Sequence, residues 1–420
     1  MMKLKQLVST AALLGLIGTT AIAAPANEPT LYGGGYIWNN VIDKARDSSY
    51  PVALLQEDQT SVTGILYATG NYRSKHSGYS DTTSGNDVYN FSLATSEVYL
   101  DSQLNSWIRA HLTLTYQSNF TQGTYYPPSS LFFSEAYAVM YNGGNYYAKV
   151  GRQYINFGNY LHDSVSSTLP EQFTNINQTA ITVGAVNMNG FYANASIFNG
   201  QPYGDTATFD NAPNNQYQAH GYTAELGYMQ EMASTGYNMY VDYVDNIADN
   251  INVGNYFSPV QEGVYMTKAV PAIAAHIDYH TGPIDVLADY FTVTDAFDVS
   301  DWSYYSAAGA SATGAKPSAY SVEGSYAFNW MNKIHSVTLG YEGSSQAVGF
   351  NGNSGFPMPE SRILAQTGVT VSPNVSMQIE YDYDTDYSKG ISGAIGFESV
   401  PVEGTGLTNS TLTARLKIFF

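Results

Sequence analysis

No cysteine occurs in the 420 residues. That excludes a disulfide framework, a thiolate nucleophile and a cysteine-ligated metal site. Beyond residue 23, no stretch approaches the ~18 consecutive apolar residues that a transmembrane helix needs. Positive charge is scarce as well: 16 Lys and Arg stand against 35 Asp and Glu, a formal charge of −19. So acidic a chain is a poor partner for nucleic acid and attracts cations. Signatures of catalysis are missing too. There is no G-x-S-x-G elbow, and the seven histidines show no H-E-x-x-H spacing. His276 and His280 sit four apart on a predicted strand, about 13 Å along it, too far to share a metal. Asp382, Asp384 and Asp386 lack EF-hand spacing. No enzymatic activity, cofactor or metal is expected.

What is present starts with an export signal. Met1 to Ala23 has a basic start (Lys3, Lys5), an apolar run from Ala11 to Ile17 and a small-x-small end at Ala21-Ile22-Ala23. Cleavage after Ala23 leaves 397 residues with 14 basic against 35 acidic ones, a charge of −21. Residues 24–60 follow no strand pattern; they form either a periplasmic segment or one folded into a lumen.

From residue 61 the chain reads as a barrel. Sixteen alternating segments fall near 61–73, 89–100, 107–117, 131–141, 146–154, 179–187, 190–198 and 218–230, then 236–247, 270–281, 284–294, 318–328, 333–343, 361–371, 375–385 and 410–420. The last shows the pattern most clearly. Leu412, Ala414, Leu416, Ile418 and Phe420 make one apolar face, and Thr411, Thr413, Arg415 and Lys417 the other. Short links alternate strictly with long ones such as 155–178, 295–317 and 386–409, the loop pattern of outer-membrane barrels. The predicted fold is all-β, a transmembrane antiparallel up-and-down barrel of about sixteen strands over 61–420, with both ends in the periplasm. Outer-membrane lipid and the barrel-assembly machinery are its expected partners, and a homotrimer is an assembly it allows. Tyr99, Tyr116, Tyr141, Tyr146 and Tyr383 are expected in the aromatic girdles.

Alternation also assigns the lumen. Trp107, Arg109, His111, Thr113 and Thr115 are predicted to face inward, opposite Ile108, Ala110, Leu112, Leu114 and Tyr116. Because β-barrel strands pair in order and close end to end, Arg109, Lys149, Arg415 and Lys417 are expected to form one basic wall. Glu225, Asp242, Asp278, Asp285, Asp289, Glu323, Glu380 and Asp382 are expected to form an acidic one. Two such walls would set a transverse field across a pore; solubilising charge in a wet lumen accounts for them equally well. The third long loop, 155–178, is a candidate constriction, with Arg152, His162, Asp163 and Glu171 as its charged residues.

Gly151-Arg152-Gln153-Tyr154 followed by Phe157-Gly158-Asn159 resembles the GRQY-x-P-FGN segment of the LbtU family of siderophore porins. Those are Legionella-type outer-membrane barrels linked to uptake of legiobactin. Phe91-Ser92-Leu93-Ala94-Thr95 before Leu104-Asn105-Ser106-Trp107, and Gly190-Phe191-Tyr192 leading to Phe198-Asn199-Gly200, add to the likeness. Asn156 stands where the family usually has Pro. The resemblance implies a plug-free barrel passing a ferric siderophore or another small polar solute. The competing expectation is a non-conducting outer-membrane barrel serving as adhesin or membrane enzyme.

Overall fold

The structure is a computed structural model describing residues 58–74, 88–118, 129–141, 146–160, 162–187, 189–200, 221–232, 234–257, 266–351, 358–396 and 401–420. The expected signal segment and residues 24–57 lie outside the described residues, as does the short link at 142–145.

The first five strands are β1 (Gln59–Arg73), β2 (Val88–Asn105), β3 (Ile108–Ser118), β4 (Ser129–Tyr141) and β5 (Tyr146–Tyr154). Then come β6 (Asn177–Val186), β7 (Phe191–Phe198), β8 (Gly221–Met232), β9 (Thr235–Val244), β10 (Ala272–Thr281) and β11 (Ile284–Val293). Two short loop strands, β12 (Trp302–Tyr305) and β13 (Thr313–Gly314), precede β14 (Ser318–Trp330), β15 (Lys333–Ser345), β16 (Ser361–Ser372) and β17 (Val375–Thr385). β18 (Ser392–Ile395) and β19 (Val402–Glu403) are again short, and β20 (Thr408–Phe419) ends the sequence of elements.

Sixteen of these close a barrel, each pairing antiparallel with its chain neighbour, and β20 pairs with both β17 and β1. Closure leaves no open edge to face lipid. Short turns follow from local chemistry. Met331 and Asn332 both take positive φ, 49° and 58°, between the paired Trp330 and Lys333, the two-residue geometry that matches strand twist.

Alternation sorts the faces as the sequence leads one to expect. Leu226, Val241, Ile277, Leu339, Ile363 and Ile379 are exposed on the outer surface, the apolar band of a lipid-facing barrel. Two expectations change. β2 runs on to Asn105, so Trp107 sits in the turn and is half exposed instead of facing inward. Tyr99 and Tyr141 share the inner parity of β2 and β4 and are buried, while Tyr146 and Tyr383 face outward. Inner tyrosines lie against glycines on the next strand. A Cβ at Gly184 would come within 2.4 Å of the Tyr147 ring, and one at Gly227 within 2.2 Å of Tyr192.

The largest apolar core lies where the long loops pack against the inner face of β6, β7, β9, β10, β11 and β14. Ile155, Phe157, Leu169, Phe173 and Ile176 from the third loop pack with Phe257, Phe291, Phe297, Trp302, Phe350 and Ile395. Phe173 is sandwiched between Phe291 and Phe350, at centroid distances of 4.6 and 4.7 Å. Above them β12, β13, β18 and β19 form a four-stranded sheet. These strands occupy segments expected to be plain loops.

Candidate functional site: the inward loop and the passage beside it

Residues 155–176 turn into the barrel, and the reason lies in their backbone. A loop that enters a lumen carries N–H groups that must find acceptors, and the inner wall supplies carboxylates. The Asn156 side chain donates to Glu225 at 2.9 Å, and the Gly158 N–H to Asp242 at 2.7 Å. Further on, the Asp163 N–H donates to Glu323 at 3.0 Å and the Ser164 hydroxyl to the same carboxylate at 2.7 Å. Val165 N–H donates to Glu380, as does Ser166 N–H at 2.8 Å. The Ser166 hydroxyl donates to Asp382 at 3.4 Å. Leu169 N–H donates to Glu342 at 2.9 Å.

Five of the eight acids assigned to the lumen therefore hold this loop. Hydrogen bonds to ionised acceptors are worth about 1.5–3 kcal/mol each, so the row of carboxylates fixes the loop's path. Asp289 instead accepts from His276 at 2.7 Å. Asp285 faces His280 in the β10–β11 ladder, and Asp278 lies within electrostatic reach of Asp163.

The loop's far end is fixed to its neighbours. It contains α1 (Glu171–Thr174), and the Gln172 carbonyl accepts from the Asn252 side chain at 2.8 Å. Asn252 belongs to α2 (Ile251–Gly254), whose cap residue Asn250 also donates to the Asn175 carbonyl at 3.1 Å.

The charged residues expected in the loop divide. His162 and Glu171 form an ion pair at 3.1 Å. Burial would push the His162 imidazole down, but the hydrogen bond and charge of Glu171, with Glu323 beyond, outweigh it and raise it to about 9. Asp163 is pushed up to about 7 by burial and by Glu323, against a hydrogen bond from Ser325. Arg152 is not part of the constriction. It is still within β5, paired with Ala136 and Thr179, on the outward parity and exposed.

The four basic residues form two groups, not one wall. Arg109, Val139 and Lys149 share a rung across β3, β4 and β5. Arg109 pairs with Asp101 at 3.0 Å, and the Lys149 ammonium lies 4.1 Å from the Tyr137 ring centre; both cations are buried. That rung meets β2 at Gln103, whose partner on β1 is Gln59. Arg415 and Lys417 face Thr69 and Tyr67 instead. At about 3.3 Å per residue, the stretch of β1 from Gln59 to Tyr67 and Thr69 puts the two groups roughly 26–33 Å apart along the wall. The strand register, not nearness in strand order, separates them.

Arg415 is where the loop meets the free wall. Its Nε and Nη2 donate to Gln378 Oε1 at 3.0 and 2.8 Å, and its Nη1 to the Val165 carbonyl at 3.3 Å. Arg415 and Lys417 each stand 5.6 Å from the Tyr67 ring centre. Between the loop tip and this wall is a cavity of about 330 Å³ lined by Tyr67, Thr69, Asn71, Thr95, Val165, Ser166, Thr413 and Arg415.

One cation was not singled out from the sequence. Arg362 on β16 is bidentate to Asp384, at 2.7 and 3.4 Å, and reaches the Ser167 carbonyl at 3.5 Å. Its alternation with Ile363 on the exposed face was the available signal. Glu342, on the inner face of β15, was readable in the same way.

A closed sixteen-stranded barrel with an inward third loop is the architecture of the outer-membrane porins and channels. An anion-selective porin from Comamonas acidovorans superposes with a TM-score of 0.52 at 9% identity, covering 87% of this chain and all of that one. OmpF of Salmonella typhi, solved with daunomycin, gives 0.51 at 10% identity over 86% of this chain and 98% of its own. These likenesses establish the fold. No family model matches the chain. In sequence it is similar to a UPF0422 protein of Coxiella burnetii, 22% identical over 375 residues, 88% of this chain and 74% of that one. UPF0422 proteins of Legionella pneumophila are 23% identical over 351 residues, 78% of this chain and 61% of theirs.

Proposed function

We propose that the chain is a passive outer-membrane porin for small polar solutes, with its passage on the β20–β1–β2 side of the barrel. The observation that carries this reading is the cavity between the Val165–Ser166 tip and Arg415. The inward loop takes up the acidic side of the lumen and leaves polar side chains along the other, as a wet passage requires. A planar-bilayer recording of the purified protein tests it. Stepwise conductance is expected; silence from a heat-modifiable, folded barrel overturns the reading and favours an adhesin or a barrel enzyme. A homotrimer is the assembly that suits this fold, and cross-linking in outer membranes reads it directly.

A ferric siderophore is a second reading of the cargo. Gly151 to Tyr154 with Phe157 to Asn159 supports it, as does similarity to Legionella proteins. Uptake of a radiolabelled ferric chelate in cells with and without the gene separates it from general permeation: equal uptake removes it.

A further inference from the structure

We infer that the cavity beside Arg415 is a saturable binding site for a small, hydroxylated organic anion carrying a single carboxylate. The inference rests on the porin reading and gives it a substrate class. Arg415 commits three of its N–H groups, two to Gln378 and one to Val165. A guanidinium has five, so one remains on each Nη, and Arg415 lines the cavity. Paired N–H groups of that kind match a carboxylate better than a lone ammonium does.

The surroundings select what else the anion carries. Thr69 lies directly across from Arg415 on β1, and Asn71 directly across from Thr413. Ser166 adds from the loop side a hydroxyl whose proton goes to Asp382, leaving its oxygen as an acceptor. Hydroxyls and an amide can donate or accept, so they suit the alcohol groups of a sugar acid better than a hydrocarbon tail. The Tyr67 ring gives the one flat apolar surface, against which a sugar ring can lie.

Size and charge bound the class. A volume of about 330 Å³ holds about ten waters at ~30 Å³ each, matching a solute of about a dozen heavy atoms. A second negative charge would approach Glu380, which faces Thr413 across the β17–β20 ladder. One carboxylate is therefore favoured over two.

The test uses the full-length protein in planar bilayers, with glucuronate as probe and glucose as its neutral counterpart. Chloride conductance is expected to fall with added glucuronate and level off, while glucose at equal concentration changes it by less than a fifth. Arg415→Gln should raise the half-blocking glucuronate concentration at least tenfold, with Arg415→Lys recovering only part. Thr413→Val should raise it several-fold with the guanidinium intact. Block that grows without levelling, equal block by glucose, or an unchanged half-block in Arg415→Gln overturns the inference. Should Arg415→Gln fail to assemble, wild-type saturation and Thr413→Val decide. If the wild type does not conduct, the porin reading fails by itself. Calorimetric titration of the detergent-solubilised protein with glucuronate then still reads the site, and absence of saturable heat overturns it.

Discussion

Glu380 holds Ser166 by its backbone: the wholly buried carboxylate accepts the Ser166 N–H at 2.8 Å and the N–H of Val165 beside it. A barrel wall thereby fixes the tip of a loop that enters from a strand end far along the chain. Glu380→Gln keeps the volume and removes the charge. Each charge-assisted bond is worth about 1.5–3 kcal/mol, so the tip should detach while the strand ladder stays. We expect larger or flickering single-channel currents and an unchanged heat-modifiable band. Current traces identical to wild type would show that Glu380 does not position the tip.

Most of the barrel was legible because period-two alternation and strict loop-length alternation are local properties. They hold for Leu412 to Phe420 whatever the rest of the chain does. What alternation could not give is the use made of inward charges. Asp242, Glu323 and Glu380 read as pore lining, yet they accept from backbone N–H groups of Gly158, Asp163 and Ser166, and a backbone donor leaves no mark in sequence. Register was equally hidden. Arg109 and Arg415 sit near each other in strand order, but how far β1 slides along β2 and β20 is a non-local choice. The loop strands β12 and β18 lie beyond any hairpin signal, since Trp302 and Ile395 pair across about ninety intervening residues.

The pH dependence of loop docking has a definite sign. His162, ordinarily 6.5, is held at about 9, so the docked loop favours its charged form. That contribution is complete below pH 6.5 and is lost as pH rises through 9. Asp163, ordinarily 3.8, is pushed up to about 7, so docking favours its neutral form, and that contribution is lost as pH rises through 7. Both act in one direction, each on the order of 3 kcal/mol. Between about pH 4 and 9 the loop should loosen, first through Asp163 and then through His162, seen as more frequent current transitions. His162→Gln should flatten the upper part of that profile. A loop more mobile at acidic pH would contradict the assignment.

Phe173 anchors the other end of the loop between Phe291 and Phe350. Phe173→Ala should cost about 3–5 kcal/mol, taken from loop packing and not from the ladder. Limited proteolysis should then cut within 155–176 or 295–317 much faster than in wild type, with the barrel's thermal transition nearly unmoved. A lowered barrel transition without new cleavage would mean that the cluster supports the strands instead.

Loop side and turn side should be chemically distinguishable in intact cells. The chain has no cysteine, so single cysteines report without background. Cysteine at Ser300, an exposed position in the segment that carries β12, should react with an impermeant maleimide from outside. Cysteine at Met331, in the tight turn after β14, should react only after the outer membrane is opened. The reverse pattern would invert the barrel.

The seam is closed by a pair as specific as the loop's tether. Phe420 donates its N–H to the Gly64 carbonyl at 3.0 Å and accepts the Gly64 N–H at 2.8 Å. Its ring covers Gly64 so closely that a Cβ there would lie 2.4 Å from a ring carbon. On the inner face Phe419 packs with Ile65 and Tyr99. Removing Phe419 and Phe420 deletes both faces of the contact at once. Gly64→Val leaves the last residues intact but displaces the ring, and Leu416→Asp turns a charge toward lipid beside Ala68 and Met377. All three should accumulate as unfolded protein with little heat-modifiable barrel, the deletion most severely and Gly64→Val least. Because β1 and β20 pair across nearly the whole length of the barrel sequence, the defect should appear in assembly yield before it appears in the melting of barrels already formed. Normal yields from the deletion would show that the barrel closes without its terminal aromatic pair.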